Sequence, residues 1–186
     1  MADVIDLERF RAKVAADQGF RTWLTRFKEQ FGPDTRLIDV SDATLLFLAT
    51  PGVENQYIFF DLVMGVQGLG GALRFQLDDL EHKVKMKIFD CSLVLLDLAR
   101  LEVMRRLDWL EPDPKLDLPL VTLVKQVWRH GGAIIKHLPA LTPQCPEYET
   151  YSRLNPREQA TFPRRLIPRA VRQFQTQVEG GPNDSA

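Results

Sequence analysis

The sequence predicts a mainly α-helical fold, a bundle of five or six helices followed by an extended, proline-rich C-terminal arm. Leucine is the commonest apolar residue, whereas valine and isoleucine are comparatively sparse, and this composition favours helix over strand. Between Leu73 and Leu98, apolar residues recur at steps of three and four, which is the spacing of one helix face. The prolines between residues 139 and 168 oppose a long helix there and mark the arm.

Length and composition point to one globular unit. A chain of 186 residues fits one domain of roughly 100–200 residues. An apolar content of 45% and a charged content of 26% are ordinary for a folded protein. We expect a helical domain at 1–138, an arm at 139–178 that packs on this domain or on a second subunit, and a disordered tail at 179–186.

The first part of the chain predicts two helices with a break near Gly19. Asp6 can cap the first helix, because its carboxylate can accept hydrogen bonds from the amides of the first turn. The second ends at the stop signal Gly32-Pro33. Apolar residues recur at helical spacing through both segments: Leu7, Phe10, Val14, Phe20, Trp23, Leu24, Phe27 and Phe31.

Two further start signals follow. Ser41-Asp42 can cap a helix over residues 43–48, although this apolar run is short enough to be a buried strand. Thr50-Pro51 begins another helix, with proline at its first position. The pattern loses regularity at Gly65, where glycines permit a tight turn between helices and a close approach of backbones.

The segment 72–111 admits two interpretations. At helical spacing it carries the unbroken stripe Leu73, Leu77, Leu80, Val84, Ile88, Cys91, Leu95 and Leu98. At period two, short runs on either side of Asp78-Asp79 alternate apolar and polar, which would give a hairpin and an α+β fold with an antiparallel meander in 43–90. Helix-forming residues dominate the segment, so we favour helix.

The remaining chain predicts one helix and then the arm. Asp117 and Pro119 start a helix that stops or bends at Gly131-Gly132. From Pro139 to Pro168 we expect an extended strap, followed by a short helix near 169–178.

Charge and cysteine content restrict the partners and the compartment. The formal net charge is -1, which gives no overall field for nucleic acid or an anionic membrane. Cys91 and Cys145 belong to no CxxC pair, and we expect two reduced thiols in a cytoplasmic protein. The acidic N-terminus does not resemble a signal peptide. The most apolar stretch contains Asp61 and is too short to span a bilayer, so no membrane partner is expected.

A small set of residues could ligate a metal or haem. Asp79 and His82 are three apart, as in the half-sites of di-iron bundles. His130 and His137 are seven apart and would share a face only if the helix continued through Gly131-Gly132. In the simpler interpretation, His82 is exposed in a charged run, His130 ends its helix, and no cofactor is bound.

Asp61 is the acidic residue with no local explanation, because large apolar residues flank it on both sides. If it is buried, it needs a donor network or a base such as Arg74, Lys87 or Arg100. A structural ion pair is the favoured interpretation, and a catalytic or metal-binding carboxylate is the alternative.

The arm carries the clearest charge asymmetry of the chain. Residues 121–186 hold 9 basic and 5 acidic side chains, a net charge of +4, whereas the rest is acidic. Arginines with interleaved aromatic residues suit phosphate, RNA or an acidic protein surface. The predicted partner-binding residues are Arg153, Arg157, Arg164, Arg165 and Arg169.

These observations favour a non-enzymatic cytoplasmic interaction or assembly protein, a homodimer acting through a helical surface and the basic arm. Another protein is a further candidate partner. A helical metal or haem protein is the first alternative, and RNA or DNA binding through the arm is the second. No spacing in the sequence defines a catalytic residue.

Overall fold

The computed structural model of the chain describes residues 6–71, 77–114 and 116–180. Within these ranges the chain is mainly helical and has no strand, only the isolated bridges of Arg36 with Pro119 and of Leu110 with Leu141. The mainly α class is therefore confirmed. The alternative meander in 43–90 is wrong for the described part of that segment, which is predominantly helical.

Helix α1 (Leu7–Gly19) begins where expected, since the Asp6 carboxylate accepts hydrogen bonds from the amides of Glu8 and Arg9 at 3.1 and 3.2 Å. Its buried residues are small, namely Ala15, Ala16 and Gly19. The predicted apolar stripe of α1 is wrong as a core face, because Leu7, Phe10 and Val14 are exposed.

Helix α2 (Arg21–Phe27) ends at Phe27, where Lys28 adopts a left-handed conformation with a φ of 55°, so the predicted end at Gly32-Pro33 is wrong. The helix contributes an aromatic cluster to the core. Phe20 and Trp23 are fully buried, and their rings lie 5.3 Å apart edge to face. The Trp23 indole donates a hydrogen bond to the carbonyl of Ile58 at 3.2 Å, which satisfies its one polar group. The aromatic stripe is thus confirmed as core, except that Leu24 is exposed.

Helices α3 (Asp42–Ala49) and α4 (Val53–Val66) follow the two start signals. The Ser41 hydroxyl accepts from the Thr44 amide at 3.2 Å and so caps α3. Helix α4 crosses α1 closely, because a side chain at Gly65 would lie 2.6 Å from the backbone of Gln18 and Gly19.

Helix α5 (His82–Arg106) is the long central element, and α6 (Leu120–His130) packs beside it. The predicted stripe is confirmed along α5, where Ile88, Cys91, Leu95 and Leu98 are buried. It is not one unbroken helix, because residues 79–81 are non-helical and α5 begins at His82. Residues 72–76, including Leu73 and Arg74, lie outside the described residues.

The chain after Leu138 is more helical than the sequence suggested. It contains the short helices α7 (Tyr148–Ser152) and α8 (Pro156–Gln159) and then α9 (Phe162–Glu179). The predicted tail is therefore wrong at Glu179, and residues 181–186 lie outside the described residues. The expectation that the prolines would keep the chain extended as far as Pro168 is wrong, since α9 begins earlier and runs through that residue.

Two facts explain why α9 tolerates its prolines. Pro163 lies in the first turn, where its missing N–H has no intrahelical partner to lose, and Pro168 is exposed. An interior proline costs about 3 kcal/mol. Burial of a large apolar side chain returns about 1.5–3 kcal/mol, and α9 buries Phe162, Leu166, Ile167 and Phe174 while packing on α5 and α3.

Candidate interaction surface

Helices α4 and α5 expose large apolar side chains on adjoining faces. We define the α4–α5 surface as Val53 and Tyr57 of α4 with Met86, Phe89 and Leu93 of α5. Their exposed fractions range from 40% for Phe89 to 69% for Val53. Phe60 lies beneath and joins the two helices, with ring distances of 4.8 Å to Phe89 and 6.1 Å to Tyr57.

The spacing of α5 explains how one helix serves both core and surface. Its buried stripe faces the interior, while Met86, Phe89 and Leu93 recur at steps of three and four on a neighbouring face. The signal for this second stripe was present in the sequence. It was missed because spacing alone does not say which of two apolar faces turns to the core.

A small cavity of about 40 Å³ adjoins the surface between α4 and α5. Phe59, Phe60, Phe89 and Leu93 line it, together with the side chain of Asn55. The Asn55 amide donates to the Phe47 carbonyl at 3.2 Å, but its buried oxygen accepts no hydrogen bond from the described residues. A cavity of this size has room for water.

Charged residues flank the apolar stripe of α5. Lys83 and Asp90 are exposed, and neither forms an ion pair within the part of the chain that the structure describes. Asp97, further along, pairs with Arg100 at 3.4 Å. The surface therefore has an apolar centre with an exposed cation and an exposed anion beside it.

The predicted partner-binding arginines are spread over the arm rather than gathered in one pocket. Arg153 and Arg157 are exposed at α7 and α8, and Arg165 is exposed on α9. Arg169 pairs with Glu147 at 2.7 Å, and Arg164 donates to the carbonyl of Ile135 at 3.3 Å. Arg164 thus holds the arm to the preceding chain, whereas Arg169 pairs with a residue of the arm itself.

The predicted metal candidates do not converge. Asp79 lies in a turn and His82 is the first residue of α5, so the prediction that they share a helix face is wrong. Helix α6 ends at His130 because Gly131 adopts a φ of 58°, and His137 lies beyond a 3-10 turn. Across the described ranges, no three His, Cys, Asp or Glu side chains are arranged to hold a metal ion.

Asp61 is half-buried on α4 and accepts a hydrogen bond from the Thr22 hydroxyl. Two of the bases considered for it are engaged elsewhere. Lys87 lies 4.6 Å from the centre of the Trp128 ring, and Arg100 pairs with Asp97 and the Ala49 carbonyl. Arg74 lies outside the described residues. Asp61 also borders a polar cleft with Gln18 and Arg21.

The buried ionisable groups serve the fold. Burial raises the pKa of the Cys91 thiol to about 11 and raises the pKa of Cys145, so both free thiols are protonated at neutral pH. Glu102 is fully buried and accepts charged hydrogen bonds from Arg105 at 2.7 Å and from Arg106 at 3.2 Å. These groups are not poised as nucleophiles or bases.

Comparison with known proteins gave no match to a family model, a curated protein or a solved structure. No helix in the described ranges combines the length and apolar content needed to cross a membrane.

Proposed function

We propose that the protein is a non-enzymatic interaction or assembly protein that associates as a homodimer through the α4–α5 surface. The observation that carries this proposal is the exposure of five large apolar side chains on adjoining faces of two core helices. Exposed apolar clusters of this kind mark interaction sites, because association removes their surface from water. Aromatic residues and methionine, which this surface contains, are enriched at protein interfaces.

The rigidity of the support favours binding at this surface. Helices α4 and α5 bury one face each in the common core, so the exposed stripe is held in place before a partner arrives. A preformed surface loses little conformational entropy on association. The stripe of Leu7, Phe10 and Val14 on α1 is the competing apolar surface, but it lies on one helix only.

The arm has a supporting role in this proposal. Its apolar side chains pack on α3 and α5 of the same chain, and its exposed residues Arg153, Arg157 and Arg165 leave a positive outer side. We propose this side as a secondary contact for an acidic protein surface in the cytoplasm. Proposals of nucleic-acid or cofactor binding gain no support from the geometry.

Sedimentation velocity of the full chain tests the proposal. We expect a dimer for the unaltered protein and a monomer for Leu93→Glu, because the substitution places a charge within the apolar contact. Leu7→Glu is the matched control, since Leu7 and Leu93 are both 54% exposed. Circular dichroism of both variants checks that the fold is intact.

A monomeric unaltered protein would contradict the homodimer. Dissociation by Leu7→Glu with no effect of Leu93→Glu would move the interface to α1 and overturn the assignment of the α4–α5 surface.

A further inference from the structure

We infer that the second copy lies across the α4–α5 surface with its α5 antiparallel, so that Lys83 of each copy pairs with Asp90 of the other. This inference rests on the proposed function and adds the orientation and register of the partner. In α5, exposed side chains are concentrated in residues 82–93, because the helix is largely buried after Leu93.

The cover of the second half of α5 favours the antiparallel orientation. Beyond Leu93, the same face reaches Asp97 and Arg100, which lie in a groove beside Ala49, Ile167 and Val171 of α3 and α9. A parallel partner helix would run into this cover. An antiparallel partner helix runs towards the N-terminus of α5, away from Asp97, Arg100 and this groove.

The apolar stripe then limits the register. His82, Met86, Phe89 and Leu93 are separated by steps of four, three and four, the spacing of a two-helix seam. Two antiparallel registers keep these stripes in contact. The first sets Met86 against Phe89 and His82 against Leu93 of the second copy. The second sets Phe89 against Leu93.

The flanking charges decide between these registers. In the first, Lys83 faces Asp90 of the second copy, and the two-fold symmetry makes this contact twice. In the second, Asp90 faces Asp90, which is unfavourable for two like charges. Lys83 then faces Asp97, but that carboxylate is already paired with Arg100 at 3.4 Å. Lys83 and Asp90 cannot satisfy each other within one helix, because seven residues separate them by about 10 Å along the axis. We therefore assign the first register.

Helix α4 completes the interface. The overlap of the two α5 segments is about 18 Å long. The area that one helix face buries over this length is small beside the roughly 800 Å² per partner of a stable interface. The contact of Phe60 with Phe89 sets α4 alongside this overlap. The symmetry places α4 of both copies on one side of the α5 pair, where Val53 and Tyr57 add apolar area.

A charge exchange between two full-length variants tests the register. Lys83→Glu and Asp90→Lys each place like charges in both contacts, and we expect each variant alone to dimerise about tenfold more weakly than the unaltered chain. An equimolar mixture should recover the original affinity, since the heterodimer pairs opposite charges at both positions. The recovery should diminish in 1 M salt.

Exposed positions away from the surface provide matched controls. Lys136→Glu and Asp34→Lys make the same charge changes at exposed sites, and we expect no change in affinity from either variant or their mixture. A second measurement uses cysteine pairs. Oxidation of a mixture of Met86→Cys and Phe89→Cys should cross-link the two variants to each other more than either variant to itself.

The outcomes separate the register from the proposed function. If Leu93→Glu dissociates the dimer but the charge mixture shows no recovery, the register is overturned and the homodimer stands. Preferential self-linking of the single cysteine variants would indicate a parallel pair and would also overturn the inference. If the unaltered chain is monomeric, the proposed function itself fails.

Discussion

At the scale of single residues, Glu29 shows how one carboxylate joins two parts of the fold. It accepts hydrogen bonds from the amide and hydroxyl of Ser41, at 3.2 and 2.6 Å, and from the hydroxyl of Thr44. Burial alone would raise the pKa of Glu29, but the hydrogen bonds from Ser41 and Thr44 outweigh it and hold the pKa below its ordinary value. Glu29 thereby fixes the N-terminus of α3.

The lowered pKa of Glu29 predicts a loss of stability in acid. A carboxyl whose pKa is lower in the folded state stabilises the fold above its ordinary pKa of about 4.3 and loses this contribution as the pH falls through the folded value. Glu29→Gln should therefore destabilise the protein at pH 7 and reduce the loss of stability as the pH falls below the ordinary glutamate pKa. Urea unfolding at each pH measures both effects. Glu149→Gln, at an exposed site, is the control, and an unchanged pH profile for Glu29→Gln would contradict the prediction.

At the scale of elements, the crossing of α1 and α4 depends on glycine. A side chain at Gly65 would approach the Gln18 backbone to 2.6 Å, and one at Gly19 would approach Val66 to 2.9 Å. Backbone atoms cannot rotate away as a side chain can, so the two helices could accommodate a larger residue at Gly65 only by separating. This close contact also explains why the larger residues of α1 do not face the core.

Gly65→Ala should destabilise the protein by about 1–3 kcal/mol, the usual cost of forcing extra volume into a packed contact. The helical propensity of alanine would otherwise stabilise α4, so the sign of the change reports the steric contact. Thermal unfolding measures it. Gly132→Ala is the control, since nothing lies near its side-chain position. A stabilised Gly65→Ala variant would show that the helices separate easily.

At the scale of the whole molecule, the C-terminal segment belongs to the same core as the rest. Phe162, Leu166, Ile167 and Phe174 are buried in one cluster with residues of α3, α4 and α5. The hydrogen bond from Arg164 to the Ile135 carbonyl joins the segment to the chain that precedes it, and the ion pair of Arg169 with Glu147 holds α9 to the start of the segment.

Removal of residues 139–186 should abolish cooperative unfolding and cause aggregation, because it uncovers the apolar faces of α3 and α5. Differential scanning calorimetry and sedimentation measure the two effects. Arg172→Ala, at an exposed site on α9, should leave both unchanged. A truncated chain that unfolds cooperatively near the original temperature would show that the arm is a separable unit.

Local sequence patterns are sufficient to predict the helical class, the caps at Asp6 and Ser41, the break at Gly19, the end of α6 at Gly131 and the inward stripe of α5. Each of these depends on the backbone and on neighbours within two or three turns, so local spacing is sufficient to predict it. The distribution of charge along the sequence also distinguishes a basic C-terminal part from an acidic remainder.

Which apolar stripes are exposed follows from the packing of the helices, because burial depends on what lies against each helix face. Leu7, Phe10 and Val14 have the spacing of a core face. They are exposed because α1 packs on α4 through its small residues instead. Met86, Phe89 and Leu93 have the same spacing as the buried stripe beside them, yet no other helix of the described chain covers them fully. Pro168 lies within a helix because burial of the opposite face of α9 offsets its local cost.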